Sequence, residues 1–219
     1  MSAIFLDLDG TLIDPKEGIT LSIQHALREL GADIPTQDEL SWCIGPPLAH
    51  SFRVLLGERP EIVGEAIALY RQRFTDVGQF EADVYDGIGD MLLELQDTGL
   101  PLYIATSKPR VYAQTIVAHF GISHYVDGLF GAELDGTNTD KTDLLAHALA
   151  ETGADPHQSV MIGDRRHDVE GAQNNDIASL GVLWGYAEAE ELHLAEADAL
   201  AGGPEDVAEI VADLLGLEQ

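Results

Sequence analysis

The sequence predicts an α/β protein: a Rossmann-like, doubly wound parallel sheet with a second, all-helical domain inserted after the first strand. Three observations predict it. From about residue 83 onward, short apolar runs of strand length alternate with helical patterns of ten or more residues, the signature of right-handed βαβ units around a parallel sheet. One more such run stands apart near the N-terminus, over Ala3 to Leu8. Between the two, residues 15–82 read as helix almost throughout. The core is therefore placed at 1–14 and 83–219, and the helical insertion at 15–82. A chain of 219 residues is long enough for this arrangement and for a sizeable core.

Each element has its local reason. Ile19, Ile23, Leu27 and Leu30 share one helical face, and Gly31 stops that helix. Thr36 and Glu39 have the spacing of a capping box. Gly45-Pro46-Pro47 forms a rigid turn in "CIGPPLAHSF", and helices follow over about 47–56 and 60–77. "DGIGDMLLELQDTG" is a helix ending at Gly99, and "LPLYIAT" is a strand. Then come a helix over 109–120, a strand in "YVDGLFGA", a helix over 140–152, a strand in "SVMIGD", a helix over 169–174 and a strand in "ASLGVLWG". The Ala/Glu-rich stretch 187–200 is expected to be exposed helix and turn, and a last helix covers 204–215.

Composition narrows the function. Eleven basic residues stand against 39 acidic ones, for a net charge of −28. A surface that negative repels nucleic-acid phosphates and anionic lipid, so neither is expected as a partner. An anionic substrate would need positive charge supplied inside its site. One cysteine, Cys43, allows no internal disulfide. With no apolar run long enough to span a bilayer and no signal-peptide pattern, a cytoplasmic protein is expected.

Ligands of an open parallel sheet bind at the carboxyl ends of its strands. Asp7-Leu8-Asp9-Gly10-Thr11 follows the first strand, Thr106-Ser107-Lys108 the second, and Gly163-Asp164-Arg165-Arg166-His167-Asp168 a later one. Topology would gather these carboxylates, hydroxyls and cations at one edge. Crowded carboxylates repel unless a cation neutralises them, and an all-oxygen set selects a hard ion, Mg²⁺. Asp7 and Asp9 share one side by the two-residue period of a strand, and Gly10 lets the chain turn away. An aspartate that attacks phosphorus is an established covalent route. Taken singly, several of these residues have plainer readings. Asp168 reads as a helix cap, Thr106 equally as one, and Lys108, Arg165 and Arg166 as solvated surface. Lys141 opposes the dipole of the helix it starts, which is odd for a purely structural residue. The joint occurrence in this order decides for a site.

These segments resemble the four motifs of the haloacid dehalogenase superfamily of phosphotransferases: "FLDLDGTL", "YIATSK", Lys141 in "NTDKTDLLAHAL", and "VMIGDRRHDVEGA". The helical insertion resembles its C1-type cap. The resemblance implies Asp7 as nucleophile and Asp9 as the acid that protonates the leaving oxygen and then activates water. It implies Mg²⁺ held by Asp7, the carbonyl of Asp9, Asp164 and Asp168, and a phosphoryl group bound by Thr106 and Lys141. Gly10, Ser107, Lys108 and Arg165 are further candidates for substrate binding. "GDRRHDVEGAQNNDIASLGVLWGY" with "IGPPL" is most similar to the phosphoglycolate phosphatase and 5′-nucleotidase branch, so a small-molecule phosphate ester is the expected partner, with a monomer or homodimer. The loop Cys43–Leu48 reads both as a chooser of leaving group and as a turn between helices. A dehalogenase would lack Asp9. A sugar phosphomutase would need phosphosugar-holding residues that cannot be picked out. A phosphate-binding module without catalysis would gain nothing from the Asp7/Asp9 pair.

Overall fold

A computed structural model describes residues 1–57 and 59–217. Its strands are β1 (Ala3–Leu6), β2 (Ile13–Asp14), β3 (Asp83–Val84), β4 (Leu102–Pro109), β5 (Gly128–Ala132), β6 (Ser159–Gly163), β7 (Ala178–Val182) and β8 (Ala199–Ala201). Its α-helices are α1 (Lys16–Glu29), α2 (Leu48–Leu56), α3 (Val63–Asp76), α4 (Ile88–Asp97), α5 (Arg110–His119), α6 (Lys141–Thr152), α7 (Arg166–Gln173), α8 (Ala189–Leu194) and α9 (Val207–Leu215). The chain divides into two compact units, Met1–Ile13 with Val84–Gln219, and Asp14–Asp83. The short strands β2 and β3 pair with each other where the chain passes from one to the other and back.

The first unit is built on a six-stranded sheet in the order β5-β4-β1-β6-β7-β8, with every pairing parallel. Both faces are buried, as parallel sheets require. Ala3, Phe5, Ala105 and Met161 pack with Leu144, Leu145 and Ala148 of α6 and Ala172 of α7. Phe5 stacks on Tyr103 at 5.8 Å between ring centroids. The alternate residues Ile4, Leu6, Ile104, Val160 and Ile162 are buried on the other face by the two-residue strand period. Chain order departs in opposite directions from β1, so β1 and its neighbours form the switch point at whose carboxyl end a ligand site is expected.

Two local expectations change. Residues 199 and 200, expected in exposed helix and turn, form with Ala201 the edge strand β8, because Asp198 accepts from the amide and hydroxyl of Ser179 and draws the segment alongside β7. Strand β4 runs on past Thr106 to Pro109 through an irregular step against β5.

The second unit is helical. Helix α1 ends as its sequence dictates, with Gly31 in the left-handed region (φ 59°). Thr36 and Glu39 form their reciprocal box, the Thr36 amide donating to Glu39 and the Glu39 amide to Thr36 Oγ1, ahead of a 3₁₀ turn over Asp38–Cys43. Phe52, Tyr70 and Phe74 form an aromatic core, with Tyr70 stacked on Phe74 at 5.3 Å. Arg73 grips Glu81 through two nitrogens and donates to Ser22 Oγ. Cys43 is buried, and burial pushes its thiol up to about 11, with Ser51 pulling the other way. It is an unreactive core thiol.

Candidate active site

The loop after β1 is folded on itself. Asp7 still belongs to the ladder, donating its amide to the Ile162 carbonyl at 2.9 Å. The carbonyl of Leu8 then receives the amides of Leu12 and Ile13, and Gly10 turns the chain with φ 84°. A side chain at Gly10 is impossible for a second reason: its Cβ would lie 2.3 Å from Asp164 Oδ2. Glycine there thus brings the backbone of the first loop onto the carboxylate that follows β6. Gly163 performs the same service for Asp168, whose Cγ would be 2.2 Å from an added Cβ.

Asp7, Asp164 and Asp168 are all buried, and each offers a carboxylate oxygen within 4.8 Å of the other two. Lys141 closes the group. Its ammonium donates hydrogen bonds to Asp7 Oδ1 at 3.0 Å and to the carbonyl of Ala105 at 2.9 Å, and is ion-paired with Asp168 Oδ1 at 2.7 Å. Lys141 is the first residue of α6, after the N-cap Asp140, whose side chain accepts from the Thr142 amide. A cation at that end of a helix is unfavourable on dipole grounds alone. Two carboxylates offset it: burial works to depress the ammonium, but Asp168 and Asp7 prevail and hold it above its ordinary value.

Asp168 also occupies the third position of α7, where its Oδ2 accepts from the Arg165 amide at 3.1 Å. The helix-cap reading and the site reading are both realised by this one side chain. Thr106 is buried at the end of the regular part of β4, and its hydroxyl accepts from the Lys108 amide at 3.2 Å. The hydroxyl proton is thereby left for another acceptor. Ser107 is half-buried beside it. Asp9 does not join the three-carboxylate group through its side chain; its Oδ2 is ion-paired with Lys108, in an environment where both side chains are largely buried. Burial raises the Asp9 carboxyl against the lowering pull of Lys108. The Arg165 guanidinium is paired with Glu191, Nε to Oε1 at 3.0 Å.

Electrostatics describe a site built around a missing charge. Four carboxylates face two lysines, a deficit that one divalent cation cancels. Asp164 is raised well above the usual carboxylate range by burial and by Asp168 and Asp7 beside it. Asp168 is pushed up to about 6 by burial and Asp7, with Lys141 opposing. Asp164 Oδ1 is buried with no hydrogen-bond partner among the described residues. An orphaned carboxylate oxygen in an all-oxygen cluster fits a hard divalent ion.

The reading of the sequence passed over one contributor, the segment after β7. Tyr186 donates its amide to Asp164 Oδ2 at 2.7 Å, and the Trp184 indole donates to the Thr11 carbonyl at 3.0 Å. Gly185 presses so closely that its Cβ would sit 2.3 Å from Asp164 Cβ and 2.4 Å from the Gly10 carbonyl. The signal was available: this segment, too, follows the carboxyl end of a sheet strand.

Known proteins place the chain in a family. Residues 4–182 match the model of the haloacid dehalogenase-like hydrolase family. A 5′-nucleotidase of Pseudomonas aeruginosa is 44% identical over 189 residues, 86% of each chain. The tyrosine-protein kinase PtkA of Mycobacterium tuberculosis is 42% identical over 188 residues, 85% of this chain but 64% of that protein. Among solved structures, a predicted phosphatase from Clostridium acetobutylicum superposes with a TM-score of 0.92 at 36% identity, covering 97% of this chain and 98% of the other.

Proposed function

Since the chain belongs to the haloacid dehalogenase-like hydrolases and is a phosphatase, we propose that it hydrolyses a small phosphate monoester with Mg²⁺ through a phosphoryl group carried on Asp7, and that nucleoside 5′-monophosphates are the substrate class. The observation that carries this reading is the buried constellation of Asp7, Asp164, Asp168 and Lys141 beside Asp9. Substrate class rests on the likeness to the 5′-nucleotidase; phosphoglycolate is the competing small ester.

Asp7, Asp164 and Asp168, with the backbone carbonyl of Asp9, would hold the metal. When bound, it supplies positive charge to the transferring phosphoryl oxygens and to the nucleophilic carboxylate. The residues supply the rest. A carboxylate oxygen of Asp7 attacks phosphorus as the bond to the ester oxygen breaks, and Asp9 passes a proton to that departing oxygen. Water then attacks the same phosphorus, gives its proton to Asp9, and the bond to Asp7 breaks to release phosphate. Thr106 donates its hydroxyl proton to a phosphoryl oxygen. Lys141, anchored by Ala105 and Asp168, places fixed positive charge between the phosphoryl group and Asp7. Preorganised charge of this kind is the main contribution a protein makes to phosphoryl transfer. The enzyme is taken to work in the cytoplasm.

Phosphate release from a panel of monoesters with Mg²⁺ tests the proposal. Turnover should vanish with chelator, and Asp7→Asn should lower it by about 10³-fold or more. Full turnover in Asp7→Asn would sink the covalent route, and binding without turnover in the unsubstituted protein would leave a receptor in place of an enzyme. The likeness to PtkA favours a second acceptor, a tyrosine hydroxyl in place of water; ATP with a tyrosine peptide should give no phosphotyrosine if the main reading holds.

A further inference from the structure

Strand β4 contains a step that regular pairing does not produce. Thr106 pairs with Gly131 and Pro109 with Ala132, so three steps along β4 match one along β5. Ser107 and Lys108 are the extra residues, and a bulge of this kind re-aims side chains next to a site. The bulge needs its neighbour to be glycine. A Cβ on Gly131 would lie 2.9 Å from Arg110 Cα and 3.0 Å from the Lys108 carbonyl oxygen. The bulged backbone is tied back by the Lys108 amide, which donates to Thr106 Oγ1. Its result is that the Lys108 ammonium meets Asp9 Oδ2, across 99 positions of sequence, with the two side chains 6% and 12% exposed. The other oxygen, Asp9 Oδ1, is buried and has no hydrogen-bond partner among the described residues.

We infer that Lys108 is a positioning residue for Asp9. It clamps Oδ2 and so presents Oδ1 as the oxygen that exchanges the proton with the departing ester oxygen. An ammonium donating to one carboxylate oxygen occupies that oxygen as an acceptor, and it fixes the rotation of the carboxylate plane. Proton transfer is steep in distance and direction, so a carboxylate free to rotate is a poorer acid than a clamped one. Lys108 thereby acts on the reaction through Asp9 and not by gripping the phosphoryl group, which Thr106 and Lys141 serve. This inference rests on the phosphatase reading above.

The test compares two esters that differ in their need for a proton. A nucleoside 5′-monophosphate expels an alkoxide that must be protonated, whereas 4-nitrophenyl phosphate expels a stable phenolate. In Lys108→Met, kcat/KM should fall about 100-fold for the nucleotide and less than about tenfold for 4-nitrophenyl phosphate. Surviving turnover of the aryl ester shows at the same time that the variant folds. Gly131→Ala, which keeps the lysine and disturbs only its bulge, should show the same selective loss. Should Lys108→Met fail to fold, Gly131→Ala carries the comparison alone. Equal losses on both esters, in a protein whose unsubstituted form hydrolyses both, overturn the inference and leave Lys108 as a phosphoryl-binding group. Absence of turnover in the unsubstituted protein overturns the phosphatase reading and this inference with it.

Discussion

Asp168 answers two demands with one carboxylate. One oxygen accepts from the Arg165 amide at the start of α7, and the other pairs with Lys141. Without a cation, it is pushed up to about 6 from an ordinary 3.8, by burial and by Asp7, and Asp164 is raised as well. Between those values the folded protein keeps a proton that the unfolded chain has lost, so this contribution is fully present below pH 3.8 and is lost as pH rises through about 6. A bound cation removes the effect, because it favours the ionised carboxylates. In chelator, the melting temperature should therefore decline as pH is raised from about 5 to about 7, and the gain on adding Mg²⁺ should be larger at the higher pH. Thermal melts with and without Mg²⁺ at both pH values measure it; an equal Mg²⁺ gain at both would argue against these carboxylates as the ligands.

At the scale of elements, the site depends on how closely loops approach one another. The segment after β7 holds Asp164 in place through the Tyr186 amide, and Gly185 leaves no room for even a methyl group. Gly185→Ala should displace Asp164 and weaken Mg²⁺ binding by about 10- to 100-fold, the usual cost of disturbing a group that orients a ligand. Titration calorimetry with Mg²⁺ reads this directly, without recourse to turnover. Wild-type affinity in Gly185→Ala would show that the segment is mere packing. The sequence made some elements legible and hid others. Periodicity and caps were enough for α1, α3 and α6, whose burial is a matter of local spacing. Strand β8 was hidden because three residues carry no period, and its pairing comes from Asp198 on Ser179. The bulge in β4 was hidden for the same reason, since it exists only relative to β5.

For the whole molecule the dominant fact is charge. The net charge is −28, and the sequence contains three lysines. Lys108 pairs with Asp9, Lys141 with Asp7 and Asp168, and Lys16 with Asp38. The remaining acidic residues therefore meet little positive charge beyond eight arginines, three of which are engaged by Glu81, Glu133 and Glu191. Self-repulsion on this scale destabilises a compact state, and salt relieves it by shortening the screening length from about 10 Å at 0.1 M to about 3 Å at 1 M. Stability should rise with NaCl over that range. A gain of about 2 kcal/mol corresponds to about 4–8 °C in melting temperature for a chain of this size. A melting temperature that is flat or falling across that range would mean that the surface charges are too dispersed to matter. No helix among the described residues is long and apolar enough to cross a membrane.

By itself the sequence determined which chemical groups the protein owns and the order in which they follow its strands. It supplied Asp7 and Asp9 on one side of a strand, Thr106 after the next, Lys141 at a helix start, and Asp164 and Asp168 around a turn. Those facts are local, governed by the two-residue period of strands, by caps and by turn glycines, and they were enough for the fold class and for the reading as a phosphatase. Tertiary structure alone decided who meets whom. Lys108, read as a candidate for the substrate, is clamped on Asp9; Arg165, read the same way, lies on Glu191; and the segment 184–186 packs against Asp164. Each of these partnerships spans tens of residues of sequence and turns on ångström differences in register and close approach. Such distances are set by how strands pair and by where a missing Cβ lets two backbones touch, and no window of neighbouring residues encodes them.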